Sequence, residues 1–405
     1  MTHSHDKPQE QGDRADTVEI IESLEDLEYL AKWLGGVKRI GLDIEADSFY
    51  TYHPKICLLQ LSTDDYDFII DPLTVKDMSP LGPILRDSSC EKVFHAGEYD
   101  LQCLKRDYGF QVHHLFDTMM AARLLGMRQL GLAALILKYF DISLTKKFQR
   151  ADWGKRPLSP GQIDYARMDT HYLLRLRDFL HKELEEKDRL REAHDAFARL
   201  ERIEPPDRVF DPDNFWRLPG ARALTPESRA ILKELYYYRE KTAAETDKAP
   251  FRVLPEALLV RIAEKGPREL SELEAIHGMT PYLFQHFGKD LLEAVRRGGE
   301  STPIEKPPER PRPQVEDARA LQRYRALREW RKKKAEERGL DPVAILATDD
   351  LHLVAHACRG EDETLWLEDL SAHKRELYGA EILEVIKSAV PTAAPTGPKK
   401  RRRRR

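Results

Sequence analysis

Two acids at alternate positions of one short apolar segment constrain the fold of this chain more than any other feature. Val37 to Ile44 has the composition of a buried strand, and Asp43 and Glu45 fall at its end. Because successive side chains of a strand point to opposite faces, Asp43 and Glu45 share one face while Leu42 takes the other. The segment therefore predicts a sheet that presents two carboxylates from one rigid edge.

Two further segments carry acids that could join the same site. Asp100 lies in VFHAGEYDLQCL. Ser159, followed by a proline and then by Gln162, has the form of a capping box that opens a helix. Tyr165 and Asp169 fall inside that helix at i, i+4 spacing, so they share one helix face. A phenol beside a carboxylate can position a water at a metal centre, which is the most specific part of this pattern.

Clustered carboxylates indicate a site for divalent cations. Neighbouring negative charges raise one another's pKa unless a cation neutralises them. Oxygen ligands suit Mg²⁺ or Mn²⁺, whereas zinc usually recruits histidine or cysteine. Two such ions about 4 Å apart can activate a water and stabilise the leaving oxygen of a phosphodiester. A zinc site is also conceivable, but its members match no usual ligand spacing. They would be Cys90, His95, Cys103 and His113.

The order and spacing of these residues resemble the three motifs of the DEDD exonuclease superfamily, tyrosine subtype. The motifs are Asp-x-Glu on a strand, HAGxxDL, and Tyr-x-x-x-Asp on a late helix. The flanking strings YHPKICLLQLS, FDTMMAARLLG and DWGKRPLSPGQIDYARMDTHYLL are similar to the ribonuclease D family. The resemblance implies a ribonuclease H-like α/β domain with a mixed central sheet. The expected strands of this sheet are VEII, the strand of Asp43, ICLLQLS, DFII and VFHA. It also implies hydrolysis from RNA 3′ ends to 5′-mononucleotides, with tRNA precursors as the expected substrate.

The resemblance also assigns roles within the site. It implies that Tyr165 positions the nucleophilic water and that four acids hold two divalent cations, Mg²⁺ or Mn²⁺. These metal ligands are Asp43, Glu45, Asp100 and Asp169.

Several residues are candidates for binding substrate. Many family members carry an aromatic residue directly after the glutamate of the first motif, but Ala46 stands there in this chain. His95 could contact substrate, or it could be a structural histidine at a strand end. Trp153 could stack on a base or seal the core under its loop. The candidates in the loop leading to the third motif are Lys146, Gln149, Trp153 and Arg156.

Two other acids are expected to have structural roles. Asp47 shares the strand parity of Asp43 and Glu45, yet a turn or solvent role is favoured over a third ligand at that position. Asp117 precedes an apolar helix and suits an N-cap.

Proline-rich segments divide the remainder of the chain. Residues 203–220 and 301–314 interrupt the helical pattern. The expected organisation is an α/β exonuclease domain followed by two all-α domains. Its parts are a leader (1–16), the exonuclease domain (17–205), a linker (206–222), a first helical module (223–300), a second linker (301–314), a second helical module (315–390) and a basic tail (391–405).

The two helical modules contain an internal repeat. YYYREKTAAETDKAPFRVL, from Tyr236, aligns without gaps with REWRKKKAEERGLDPVAIL, from Arg328. Both modules resemble HRDC domains, which helicases and ribonuclease D share. Aromatic and basic residues of the first module could stack on bases, although such aromatics more often pack in a core. In the second module Arg331 and Lys332 open a basic run that could bind RNA phosphates, or could form a solvated face.

Charge is distributed unevenly along the chain. The formal net charge is −4 even though the last seven residues, Lys399 to Arg405, are all basic. Such a run is either a solvated tail or a tether to RNA backbone, since flexible cations neutralise phosphates. The sequence does not decide which RNA would bind.

Composition indicates a cytoplasmic protein without membrane spans. The first residues are polar, with no apolar signal region, and no apolar run approaches the length of a membrane span. Four cysteines without CxxC spacing do not indicate a disulfide framework. The oligomeric state is open, with a monomer favoured.

The sequence therefore predicts a metal-dependent 3′–5′ exoribonuclease that acts in tRNA 3′ maturation or RNA turnover. A DNA exonuclease is an alternative, because the metal chemistry does not depend on a 2′-hydroxyl. A non-catalytic RNA-binding scaffold is a second alternative, although a scaffold has no need for costly clustered acids.

Overall fold

The computed structural model describes residues 18–206, 210–305, 318–357 and 370–389. The predicted leader, the basic tail, most of the second linker and Cys358 lie outside these residues.

A mixed six-stranded sheet organises the first domain. Its order is β1-β4-β3-β2-β5-β6, with antiparallel pairing on both sides of β3 and parallel pairing at both ends of the sheet. The strands are β1 (Val18–Ile21), β2 (Arg39–Ala46), β3 (Ile56–Ser62), β4 (Asp67–Ile70), β5 (Glu91–Phe94) and β6 (Leu115–Asp117). The predicted mixed α/β architecture is confirmed.

Three of the five expected strands have the predicted bounds, and two differ from prediction. The strand with the two acids lies two residues later than expected, at Arg39–Ala46. The strand expected at VFHA ends instead at Phe94, because Ala96 adopts a left-handed φ of 60°. Strand β6 was not predicted, since three residues carry too little alternation to be recognised.

Nine helices surround the sheet among the described residues of this domain. They are α1 (Leu24–Leu34), α2 (Pro72–Val75), α3 (Gly82–Arg86), α4 (Glu98–Tyr108), α5 (Thr118–Leu124), α6 (Leu132–Phe140), α7 (Pro160–His171), α8 (Leu173–Glu186) and α9 (Leu190–Leu200). Strand β3 is buried along its whole length. The core therefore lies on both faces of the sheet, as expected when helices cover both faces.

Two separate helical modules follow, each with its own apolar core. The first contains α10 (Pro226–Glu245), α11 (Pro250–Val253), α12 (Glu256–Lys265), α13 (Leu270–Glu274) and α14 (Pro281–Glu300). The second contains α15 (Ala318–Arg338), α16 (Pro342–Ile345), α17 (Thr348–Ala357) and α18 (Ala372–Ser388). None of the helices in the described ranges is long and apolar enough to span a membrane.

Equivalent contacts in the modules support the predicted repeat. Tyr238 donates from its hydroxyl to Asp290 at 3.0 Å, and the aligned Trp330 donates from its indole to Glu381 at 2.9 Å. Both acceptors lie midway along the last helix of their module.

Candidate active site

The two acids of the first motif point from the end of β2 into one cluster. Asp43 and Glu45 pair with Gln60 and Leu58 of β3, so their shared parity follows from the strand geometry. Together with Asp169, each offers a carboxylate oxygen within 4.8 Å of the others. The cluster is partly buried, which makes three adjacent negative charges costly in the absence of a cation.

Helix α7 brings Asp169 to this cluster. The predicted capping box is present, since the Ser159 hydroxyl accepts from the Gln162 amide and the Gln162 side chain accepts from the Ser159 amide. Gly41 of β2 lets the helix approach closely, because a Cβ there would lie 3.3 Å from the carbonyl oxygen of Thr170. A larger residue would push the third motif away from the first.

Asp100 joins the cluster from helix α4. Its carboxylate lies near enough to Asp43 and Glu45 for its charge to raise the pKa of both. Gly97 is the N-cap of this helix. A Cβ atom added at Gly97 would lie only 2.7 Å from the Cβ atom of Phe94, so a side chain does not fit there. The glycine of the second motif therefore allows the tight turn that directs Asp100 inward.

Burial and mutual repulsion raise the pKa values of the carboxyl groups in the cluster. Burial and the charges of Asp169 and Asp100 raise the pKa of Glu45 to about 9. Burial, with Asp117 and Asp169, raises the pKa of Asp100 to about 8, and burial raises the pKa of Asp169 to about 7. The pKa of Asp43 is also raised well above its ordinary value, first by burial and then by its acidic neighbours. A divalent cation would remove this repulsion.

Tyr165 lies on the same face of α7 as Asp169, as predicted, and the charge of that carboxylate raises the pKa of its phenol. Its ring contacts Trp153 and Phe148, with ring centroids 6.0 and 6.2 Å away. Burial and the nearby carboxylates raise the pKa of the Tyr165 phenol, so it stays protonated at neutral pH. It is therefore suited to orient a ligand and not to act as a base.

A buried ion cluster that was not predicted anchors α7 to the sheet. Asp67 of β4 accepts from the Ser62 hydroxyl at 2.6 Å and from Arg167 Nε at 2.9 Å. The Nδ1 atom of His171 lies 2.6 Å from the same carboxylate. Arg167 and His171 flank Asp169 in sequence, and their i, i+4 spacing was the available signal for a shared acidic partner.

The two acids expected to be structural have that role. Asp117 caps α5, accepting from the backbone amides of Met120 at 2.7 Å and Gly97 at 2.8 Å. Asp47 is buried and closes a turn, since its carboxylate accepts from the Lys55 amide at 2.8 Å.

His95 is held in a defined tautomer. Thr118 donates its hydroxyl proton to the carbonyl of Phe94, so Nδ1 of His95 must donate to the Thr118 oxygen, 2.9 Å away. Burial lowers the pKa of His95 to about 4, which keeps the ring neutral. Its Nε2 atom is left as an acceptor, and substrate contact by His95 stays a prediction.

The positions of two candidate substrate-binding residues favour structural roles, and their contact with RNA stays a prediction. Trp153 is 1% exposed and packs under the loop, which favours the interpretation that it seals the core. All five donors of Arg156 are engaged, with Asp71 and with the carbonyls of Trp153, Lys155 and Cys57. Neither outcome could be read from the sequence, because aromatic and basic side chains in a loop do not reveal which way they point.

The remaining binding candidates differ in exposure. Lys146 and Gln149 are exposed in the loop before α7, and their contact with RNA stays a prediction. Arg331 donates to the carbonyl of Leu346 at 2.8 Å and is partly buried, and its contact with RNA stays a prediction. Lys332 is exposed, 4.0 Å from Glu336, and stays a prediction.

The four candidate zinc ligands do not converge on one site in the described part of the chain. The potential metal ligands that do converge there are Asp43, Glu45 and Asp169. Cys57, Cys90 and Cys103 are free and buried, as expected for structural thiols.

Comparisons with known proteins agree with this geometry. Residues 18–185 match the family described as 3′–5′ exonuclease, and residues 228–295 and 320–386 match the HRDC domain. Both helical modules are thus recognised as HRDC domains.

The similar proteins include an exosome complex component and a ribonuclease D. The chain is 34% identical over 284 residues to the exosome complex component 10 homolog of Caenorhabditis elegans, a match that covers 68% of this chain and 32% of that protein. It is 29% identical over 355 residues to ribonuclease D of Pseudomonas paraeruginosa, covering 86% of this chain and 92% of the relative. The chain therefore spans about a third of the length of the first relative.

Among solved structures, Escherichia coli RNase D is similar over most of its length. That protein is described as an exoribonuclease involved in structured RNA processing. The TM-score is 0.61 at 26% identity, and the match covers 92% of this chain and 99% of that chain.

Proposed function

Since this chain belongs with ribonuclease D among the DEDD 3′–5′ exonucleases that carry HRDC domains, we propose that it is a 3′–5′ exoribonuclease releasing 5′-mononucleotides. The observation that carries the proposal is the convergence of Asp43, Glu45 and Asp169 within 4.8 Å, with the charge of Asp100 acting on the same acids. No structural role for four adjacent carboxylates offsets the cost of gathering them.

The donor set of the cluster fits divalent cations. The DEDD exonucleases use divalent metal ions, and the residues that would hold them here are Asp43, Glu45, Asp100 and Asp169. Two ions, Mg²⁺ or Mn²⁺, are proposed because every donor is a carboxylate oxygen. When bound, they supply activation of a water and stabilisation of the leaving 3′ oxygen.

Tyr165 is suited to orient a ligand at the site. Its protonated phenol lies beside Asp169, and its ring packs against the rings of Phe148 and Trp153. We propose that it donates a hydrogen bond that aligns the attacking water or the scissile phosphate. Because the rings restrict its motion, little conformational freedom is lost when the substrate binds.

RNA is proposed as the substrate, with tRNA precursors as the expected class and RNA turnover as the broader role. The HRDC domains and the similarity to Escherichia coli RNase D, an exoribonuclease involved in structured RNA processing, support a structured RNA. The three free cysteines among the described residues are compatible with the proposed reducing cytoplasmic compartment.

The test compares matched substrates. Purified protein is incubated with 3′-extended tRNA, single-stranded RNA and single-stranded DNA, each with Mg²⁺, Mn²⁺ or EDTA, and the products are resolved by chromatography. We expect 5′-mononucleotides to be released from RNA with Mg²⁺ or Mn²⁺ and not with EDTA. Preferential release from DNA would support the alternative DNA exonuclease, and binding of RNA without release would support a scaffold.

A further inference from the structure

A short loop, residues 47–55, follows the end of β2 at Ala46 and is folded into a fixed shape. The amides of Tyr50 and Thr51 donate to the carbonyl of Asp47 at 2.7 and 3.0 Å. The Asp47 carboxylate in turn accepts from the Lys55 amide. Phe49 lies at the tip of this turn, four residues after a proposed metal ligand.

The neighbours of this loop place it at the rim of the acidic cluster. On one side Ser48 lies close to the phenol of Tyr99, the residue that directly precedes Asp100. On the other side the Tyr50 hydroxyl donates to the carbonyl of Arg150 at 3.1 Å, in the loop that carries the partners of Tyr165. The loop therefore bridges the second and third motifs.

Phe49 and Arg150 have the chemistry of a nucleobase site. The Phe49 ring is 45% exposed, and the Arg150 guanidinium lies 5.9 Å from its centroid. Aromatic rings and arginine planes are the groups on which unpaired bases stack. Ala46, where the family often has an aromatic, offers no such surface.

The first HRDC domain holds this loop from outside. Arg252 donates from Nε to the carbonyl of Phe49 at 2.5 Å, and its guanidinium lies 3.8 Å from the centroid of Tyr50. Asp247 accepts from the backbone amides of Tyr52 and His53, both at 3.1 Å. The contacts made by Asp247 and Arg252 are called here the HRDC latch.

We propose that Phe49 and Arg150 form a stacking platform for one of the two 3′-terminal bases, and that the HRDC latch keeps the platform aligned with the metal site. Phe49 and Arg150 are then substrate-binding residues, and Asp247 and Arg252 are positioning residues that act through the loop. The inference rests on the proposed function, since it assigns the substrate contact of the same site.

Phe49 is tested with RNA that carries 2-aminopurine at its last or penultimate position, bound in Ca²⁺ or EDTA so that hydrolysis is not required. Stacking quenches this base, so wild type and Phe49→Trp should quench it and Phe49→Ala should not. Affinity for the 3′ end should fall by about 5- to 100-fold in Phe49→Ala, as for loss of one stacked base. Tyr29→Ala, which removes a ring that is 75% exposed on α1, is the matched control and should behave as wild type.

An RNA lacking the stacked base provides an independent check. Wild type and Phe49→Ala should bind the abasic RNA equally, because one half of the stack is then absent from both complexes. Equal quenching by wild type and Phe49→Ala at both labelled positions would overturn the platform.

The latch is tested with Arg252→Gln, alone and combined with Phe49→Ala. Arg252→Gln should reduce quenching and raise KM for RNA with a smaller effect on kcat, and it should add little in the Phe49→Ala background. Arg296→Gln, which alters an exposed arginine paired with Glu293 and Glu300 on α14, is the control. Additive effects of Arg252→Gln and Phe49→Ala would overturn the latch. If the wild-type protein quenches 2-aminopurine but does not hydrolyse RNA, the proposed function is wrong and the stacking platform is retained.

Discussion

The phenol of Tyr165 lies between an acidic cluster and two aromatic rings, and one oxygen atom carries its proposed role. Tyr165→Phe removes that oxygen and keeps the ring contacts with Trp153 and Phe148. We expect the single-turnover rate of RNA hydrolysis to fall by about 10- to 1000-fold, as for loss of a positioning group, with metal affinity nearly unchanged. Rapid-quench kinetics and a Mg²⁺ titration measure both quantities, with Tyr29→Phe as the control. A rate equal to wild type would make Tyr165 a structural residue.

At the scale of residues, the sequence was informative wherever spacing alone fixes direction. Strand parity placed Asp43 and Glu45 together, and helical periodicity placed Tyr165 beside Asp169. Periodicity carries no such information in loops. The position of Trp153 therefore had two interpretations until its burial was known.

At the scale of elements, the position of α7 depends on the buried carboxylate of Asp67. Asp67→Asn leaves Arg167 and His171 without their acidic partner, so we expect the free energy of unfolding to fall by about 3 kcal/mol. The displaced helix should also lower the hydrolysis rate. Urea denaturation at neutral pH measures the loss, and Asp65→Asn, at an exposed position of the preceding turn, is the control.

The same substitution makes a signed prediction for pH. Burial alone would raise the pKa of Asp67, but hydrogen bonds from His171, Ser62 and Arg167 outweigh it and lower the pKa from 3.8 to about 2. A depressed carboxyl pKa stabilises the fold above the unfolded value and loses that contribution as pH falls towards the folded value. The difference in the free energy of unfolding between wild type and Asp67→Asn should therefore become smaller as the pH falls from 4 to 2. A constant difference over this range would contradict the ion cluster.

Most strands and the capped helix of the third motif could be predicted because each has a local signal. The capping box of Ser159 is an example, since sequence and structure agree on both of its hydrogen bonds. Strand β6 could not be predicted, because its pairing with β5 is a long-range contact that three residues do not encode locally. The left-handed turn at Ala96, which shortens β5, could not be predicted either, because a residue other than glycine rarely adopts a positive φ.

At the scale of the whole molecule, both helical modules contact the exonuclease domain. The second HRDC domain packs on α9, where Arg338 pairs with the buried Glu192 at 2.6 Å and Arg199 pairs with Asp350 at 3.0 Å. The first contacts the loop after Glu45 through the HRDC latch. The sequence predicted both modules through their repeat, but contacts between distant segments leave no periodic signal in either partner.

The basic run Lys399 to Arg405 lies outside the described residues, and its charge still supports a prediction for the intact protein. If all seven cations met phosphates, their deletion would reduce the slope of log affinity against log salt by at most about 5, at about 0.7 per charge. Backbone contacts carry no sequence information, so different RNAs should weaken alike and the rate at saturating substrate should stay constant. Binding titrations at several salt concentrations decide this, and identical slopes would exclude RNA contact by the tail.

The central claim is that the acidic cluster performs exonucleolytic hydrolysis from a free 3′ end. The most direct measurement follows 5′-labelled linear RNA, the same RNA bearing a 3′-phosphate, and its circular form, with wild type and Asp43→Asn in Mg²⁺ or Mn²⁺. We predict stepwise shortening of the linear RNA by wild type, resistance of the blocked and circular forms, and RNA binding without hydrolysis by Asp43→Asn. Near-normal hydrolysis by Asp43→Asn, or efficient cutting of the circle by wild type, would contradict the account.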